Sequence, residues 1–82
     1  MTPRLKRLGS REVLRILGLF GFEVQRTRGS HATIARTTTT GERQVLTVPL
    51  HKELAPGTLL AIFRQAAKFV DAGELREHFY SP

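Results

Sequence analysis

Three consecutive residues, Gly29, Ser30 and His31, are the part of this sequence best suited to chemistry. Glycine allows close backbone approach, a serine hydroxyl can hydrogen-bond a phosphate, and imidazole titrates near neutral pH. RNA carries its own nucleophile, the 2′-OH. A single histidine could deprotonate that hydroxyl or protonate the 5′-leaving oxygen, while an Arg or Lys side chain stabilises the charge that develops on the phosphorane. Such a reaction needs no metal ion.

Basic residues lie on both sides of this cluster in the chain. The candidate RNA contacts are the glycine and serine of the cluster together with Arg26, Arg28, Arg36, His51 and Lys52. His51 could supply the second proton transfer, contact a phosphate or have no role. His31 itself could simply begin an exposed strand, because spacing alone does not make a histidine catalytic.

The residue types and their spacing argue against cysteine, metal-dependent and serine-hydrolase catalysis. The chain has no Cys and three His, so it offers no disulfide framework, no thiolate zinc site and no cysteine nucleophile. Its seven carboxylates show no paired spacing suited to two-metal phosphodiester cleavage, and its serines lack a GxSxG elbow. The sequence therefore predicts no metal site and no cofactor.

The charge balance points to an anionic partner. Thirteen Lys and Arg against seven Asp and Glu give a formal net charge of +6 over 82 residues, more than solubility requires. Apolar stretches fall well short of the roughly 20 residues of a membrane span. The basic start leads into an amphipathic segment and not into a cleavable signal. We expect a cytoplasmic, single-domain chain that has no contact with a membrane.

The elements that must position the cluster follow from hydrophobic periodicity. Ser10 is a candidate N-cap for a helix over 11–19, which Gly21 ends as the C′ residue. Period-two alternation then predicts three strands, at 22–26, 31–36 and 43–48, of which the first is expected to be half-buried. They are joined by a turn at 27–30 and a hairpin loop at 37–41. In the second strand, His31 and Thr33 share the face opposite Ala32 and Ile34.

Two further helices complete the prediction. One begins at Pro56 and carries an apolar stripe as far as Val70, and a short last helix follows Asp71, which has capping-box spacing to Glu74. We expect an α+β fold of order α-β-β-β-α, a three-stranded antiparallel sheet with helices on one face and a short extra C-terminal helix. Residues 1–9 are predicted to be a basic N-terminal tail and residues 10–82 a single domain.

Read in order, these segments form a specific signature. The chain closely resembles the HicA (YcfA-like) toxin family over about residues 9–70, through Ser10–Leu17, Gly21-Phe22, Arg28-Gly29-Ser30-His31, Leu46-Thr47-Val48-Pro49 with His51, Leu54–Thr58 and Ile62–Ala66. The resemblance implies a metal-independent endoribonuclease that cleaves mRNA, an mRNA interferase, with a double-stranded-RNA-binding-domain-like fold. It also implies a HicB-like antitoxin that holds the toxin inactive by covering its catalytic surface.

The resemblance assigns the catalytic histidine of the Gly-Ser-His motif to His31. His51 matches a histidine that commonly follows the Val-Pro pair, and its role stays open. Many relatives carry a second histidine or a bulky residue directly after the motif, whereas Ala32 and Thr33 stand here.

Two other functions remain open from the residues alone. A non-catalytic double-stranded-RNA-binding module would read RNA shape and need no titrating residue. A basic protein-interaction domain would show little RNA affinity even at low salt. Cleavage by an imidazole depends on pH near about 6 to 7, whereas simple binding changes less with pH.

Overall fold

A computed structural model describes residues 2–82 of the chain. The helices and strands follow one another in the order β1 (Arg4–Leu5), α1 (Ser10–Leu19), β2 (Glu23–Arg28), β3 (His31–Thr37), β4 (Arg43–Pro49), α2 (Pro56–Ala66), α3 (Ala72–Phe79) and β5 (Tyr80–Ser81). The strands β2, β3 and β4 form one antiparallel sheet in that order. The predicted α+β class and the α-β-β-β-α order are confirmed.

The first helix ends as its sequence predicts but begins differently. Gly21 has φ +95°, and the N–H of Phe22 donates to the carbonyl of Leu17 at 3.1 Å, as in a Schellman cap. At the other end Gly9, and not Ser10, is the N-cap, and its N–H donates to the Glu12 carboxylate at 2.6 Å. Gly9 takes this place because a Cβ there would overlap the Lys52 carbonyl.

The strands β2 and β3 are joined by the two-residue turn Gly29-Ser30. Gly29 has φ +57°, which suits glycine at the first central position of a type II′ hairpin turn. The register then pairs His31 with Arg28 on one side and with Pro49 on the other. The turn is therefore shorter than the predicted 27–30, and the first strand runs two residues further.

The expectation that the first strand is half-buried was wrong. All six residues of β2 are exposed, including Val24 at 51%, and only Phe22 just before the strand is buried. β2 is an edge strand whose register to β3 shifts between Val24 and Arg26. A bulge of this kind breaks the two-residue alternation, so the apolar and polar spacing no longer marks a buried face.

One face of the sheet forms the core with the helices. Alternate residues of β3 and β4 are buried there, including Ile34, Leu46 and Val48, against Val13 and Leu17 of α1. Apolar residues of α2 and α3 complete the core, namely Leu59, Ile62, Phe63, Ala66, Leu75 and Phe79. The opposite face, which carries His31, is left open, as predicted.

The helix that begins at Pro56 ends earlier than its apolar stripe predicted. The helix α2 ends at Ala66, and residues 67–70 form turns whose Phe69 and Val70 pack half-buried against the core. The carboxylate of Asp71 accepts a hydrogen bond from the N–H of Glu74 at 2.9 Å, so the predicted cap of the last helix is confirmed.

Arg4, Leu5 and Leu8 contact the rest of the domain, although residues 1–9 were predicted to be a basic tail. The strand β1 pairs antiparallel with β5, Arg4 opposite Ser81, and Leu8 is buried in the core. Within residues 2–82, the helices are too short and too polar to cross a membrane.

Candidate active site

His31 stands at the end of the open sheet face. It is the first residue of β3, it is exposed, and its cross-strand partners are Arg28 and Pro49. Directly opposed residues of an antiparallel pair have Cβ atoms about 5 Å apart on the same face. His31 and Arg28 therefore project from neighbouring positions on the open face. Its Nδ1 lies 3.4 Å from the hydroxyl of Ser30.

The backbone holds this histidine from both sides. The Gly29-Ser30 turn fixes its connection to β2, and the N–H of Leu50 donates to the Ser30 carbonyl at 2.6 Å. This bond ties the loop after β4 to the turn before β3. His31 is thus presented by a well-fixed backbone, while its side chain stays accessible.

The same loop is fastened to the start of α1. The carbonyl of His51 accepts hydrogen bonds from the N–H and the hydroxyl of Ser10, both at 3.0 Å. His51 and Lys52 are exposed, and they line a groove together with Leu50 and the first turn of α1. The buried Ser10 hydroxyl thus anchors the loop that carries two of the predicted RNA contacts.

Six of the seven predicted RNA contacts come to one end of the sheet with His31. Arg26 is opposite Thr33, one row along the open face from the pair of Arg28 and His31. Gly29 and Ser30 form the turn itself, and His51 and Lys52 follow the end of β4. Arg26, Arg28 and Lys52 are all exposed, so this end of the molecule presents cations and two imidazoles to solvent.

Comparison with known proteins identifies the family. A model of the HicA toxin of bacterial toxin–antitoxin systems matches residues 10–67. The chain belongs to the HicA toxin family. No curated protein and no solved structure gave a significant match.

Membership of the HicA family makes the chain the toxin of a toxin–antitoxin system and implies an antitoxin partner. The matched residues run from the start of α1 to the residue after α2, and they include the Gly29-Ser30-His31 turn and the loop that carries His51. β1, α3 and β5 lie outside the match. The cluster at the end of the sheet is therefore inside the part of this HicA-family chain that defines the family.

Arg36, the seventh predicted RNA contact, lies elsewhere and serves the fold. It is at the other end of β3 and on the helix side of the sheet, where its guanidinium donates to the carbonyls of Phe20 and Phe69 at 2.8 and 2.6 Å. Its Nε donates to the Gln44 amide oxygen at 2.6 Å, and the group lies 5.2 Å from the centre of the Phe22 ring. Because these contacts use the guanidinium, Arg36 is corrected from an RNA contact to a structural residue.

The sequence prediction overlooked Arg43, a residue of the open face. Arg43 begins β4, is exposed and is paired with Thr37. The signal was present in the alternation of β4, in which residues 44, 46 and 48 are buried and residues 43, 45 and 47 are exposed. That alternation places Arg43 on the face of His31.

Metal-ligating residues do not gather in the described part of the chain. Among residues 2–82, His, Asp and Glu side chains form no group of three or more that could hold a metal ion.

Proposed function

We propose that this HicA-family toxin is a metal-independent endoribonuclease that cleaves mRNA and so blocks translation, with His31 as its catalytic residue. The observation that carries the proposal is the position of His31. It is an exposed imidazole on a fixed turn, directly opposite an exposed arginine, at the basic end of an open sheet face. The exposed side chain of His31 is free to meet a substrate.

The chemistry needs two proton transfers. The 2′-oxygen of the RNA attacks the adjacent phosphorus and loses its proton, and the 5′-oxygen leaves and gains one. The products are a 2′,3′-cyclic phosphate and a 5′-hydroxyl end. His31 carries out one of these transfers, and His51, a water molecule or a phosphate oxygen is available for the other.

The phosphorane carries extra negative charge, which a neighbouring cation stabilises. We assign this role to Arg28, and its position as the cross-strand partner of His31 supports the assignment. Arg26, Ser30 and Lys52 lie at the same end of the sheet and would bind flanking phosphates, and Gly29 allows the RNA backbone to come close.

The antitoxin of the system is proposed to be a HicB-like protein that covers this same face. With a net charge of +6, the toxin would attract an acidic partner surface, which gives fast and salt-sensitive association. Covering His31 would be enough to block cleavage without changing the toxin fold.

The test is to incubate labelled mRNA with the wild-type protein and with His31→Ala in EDTA. We expect wild type to cut and the variant to lose activity by about 10²–10⁴-fold, the usual contribution of general acid–base catalysis. His31→Ala should still bind RNA and antitoxin at low salt, because the cationic contacts remain.

Two results would contradict this proposal. If neither protein cuts while both shift the RNA on a gel, the protein is an RNA-binding module that lacks the activity. If His31→Ala loses RNA binding as well, His31 is a structural residue.

A further inference from the structure

The open sheet face continues well beyond the proposed active site. From His31 to Thr37 the strand β3 advances six residues, which is about 20 Å at the usual rise of a strand. Arg43 pairs with Thr37 and therefore stands at the far end of this face. We propose that this face is a track for single-stranded RNA and that Arg43 is a positioning residue for a phosphate remote from the cut. This inference rests on the proposed function.

The side chains of the face suit a phosphodiester backbone. Between His31 and Arg43 lie the cross-strand pair Thr33 and Thr47 and the 46%-exposed Val45. Threonine hydroxyls and arginines are common partners of phosphate and sugar oxygens, and an exposed valine gives a base an apolar contact. These positions carry no aromatic side chain of the kind that dominates protein–protein interfaces.

Arg43 is held over this face by a neutral partner. Its Nη2 donates to the Gln25 amide oxygen of β2 at 3.3 Å. The bond therefore runs across the sheet from β4 to β2, and Ala35, on the β3 strand between them, is only 2% exposed. An amide oxygen positions a guanidinium without cancelling its charge.

The neighbours of Arg43 in the chain point the other way. Gln44 is buried on the helix side, where it accepts from Arg36 and donates to the Glu42 carboxylate at 3.3 Å. The carboxylate closest to Arg43 in sequence is thus engaged by Gln44. Arg43 and Arg36 are seven residues apart in the chain. The guanidinium of Arg43 is exposed to solvent, whereas that of Arg36 is hydrogen-bonded inside the fold.

A single strand fits this face better than a duplex. Three strands at their usual spacing make the face about 10 Å across, which is enough for one extended backbone. Proteins bind single strands by a positively charged surface that follows the backbone. Here the cations Arg28 and Arg26 lie at one end and Arg43 at the other.

The experiment measures RNA binding in the His31→Ala background, so that the substrate stays intact, and cleavage in the wild-type background. Arg43→Ala is compared with Arg43→Lys and with Arg64→Ala, which removes an equal charge from the exposed side of α2. The probes are an unstructured RNA long enough to span the face and a dinucleotide too short to reach Arg43.

For the long RNA we expect Arg43→Ala to raise Kd and KM about two- to fivefold at low salt and to leave kcat unchanged. The slope of log K against log salt should fall by about 0.7, the value of one phosphate contact on a single strand. Arg43→Lys should keep the slope, Arg64→Ala should behave as wild type, and dinucleotide binding should not respond to Arg43→Ala.

The inference is overturned if Arg43→Ala and Arg64→Ala behave alike, or if Arg43→Ala weakens antitoxin binding while RNA binding is unchanged. The second result would make the face a protein interface. Absence of cleavage by the wild type would refute the proposed nuclease, but the binding slopes would still decide the role of Arg43. A protein that binds no RNA would refute both.

Discussion

His31 and Arg36 lie near opposite ends of β3 and on opposite faces of the sheet, and their side chains are held in opposite ways. At the first end His31 faces solvent beside Arg28, held only through its backbone and a 3.4 Å contact to Ser30. At the second end Arg36 gives its guanidinium to three acceptors and an aromatic ring. An arginine near a candidate catalytic motif is therefore not automatically a phosphate ligand. The role of such an arginine depends on the face of the sheet on which it lies and on the hydrogen-bond acceptors that other segments bring near its guanidinium.

The largest effect is expected at Arg36, on the helix side of the sheet. Replacing Arg36 by Ala should lower the free energy of unfolding by about 2–4 kcal/mol, because three acceptors lose a charged donor. Chemical denaturation measures this as a lower midpoint. Arg36→Lys should recover only part of the loss, since an ammonium lacks the planar fork of donors.

On the open face, the same substitution at Arg28 should change the free energy of unfolding by less than about 0.5 kcal/mol. If Arg36→Ala and Arg28→Ala were equally destabilised, the distinction between a structural arginine on the helix side and an exposed arginine on the open face would be wrong.

A smaller effect is expected at the turn that presents His31. Gly29 has φ +57°, and no other part of the chain lies within 4 Å of the position that a Cβ would take, so Gly29→Ala meets only backbone strain. We expect a loss of about 1 kcal/mol in unfolding free energy. Gly18→Ala is the matched control, because Gly18 lies within α1 in equally open space and alanine there should stabilise the helix. Equal effects at the two positions would show that the turn conformation is not under constraint.

The smallest effect concerns the affinity of the open end for RNA. Removing one exposed cation at Arg28 should reduce binding about two- to fivefold at low salt and lower the salt slope by about 0.7. Gel-shift titrations at several salt concentrations, in the His31→Ala background, measure both quantities. An unchanged slope would remove Arg28 from the RNA contacts.

Local signals predicted much of this fold. The end of α1 at Gly21, the cap at Asp71 and the opposite faces of His31 and Ile34 follow from residues within a few positions of one another. Each of these features was confirmed, because caps and strand alternation depend on neighbouring side chains and backbone groups.

Features that depend on distant segments were missed. Gly9 replaces Ser10 as the N-cap because the Lys52 carbonyl packs against it. The strands β1 and β5 have two residues each and pair across nearly the whole chain, too short and too distant for any periodicity to indicate. Arg36 finds one of its acceptors 33 residues away, at Phe69. Arg43 was overlooked although the local alternation of β4 marks its face, because its distance from His31 along that face depends on the pairing of β4 with β3.

In the proposed reaction the protein positions an RNA whose own 2′-OH is the nucleophile, and His31 moves a proton. The most direct measurement uses one RNA and its copy with a single 2′-deoxy nucleotide at the mapped cleavage position, both with wild-type protein in EDTA. We expect the RNA to be cut to 2′,3′-cyclic phosphate and 5′-hydroxyl ends and the deoxy copy to stay intact at that position. Cleavage of the deoxy copy at that position, or products with 5′-phosphate ends, would mean that water is the nucleophile and that the 2′-OH mechanism is wrong.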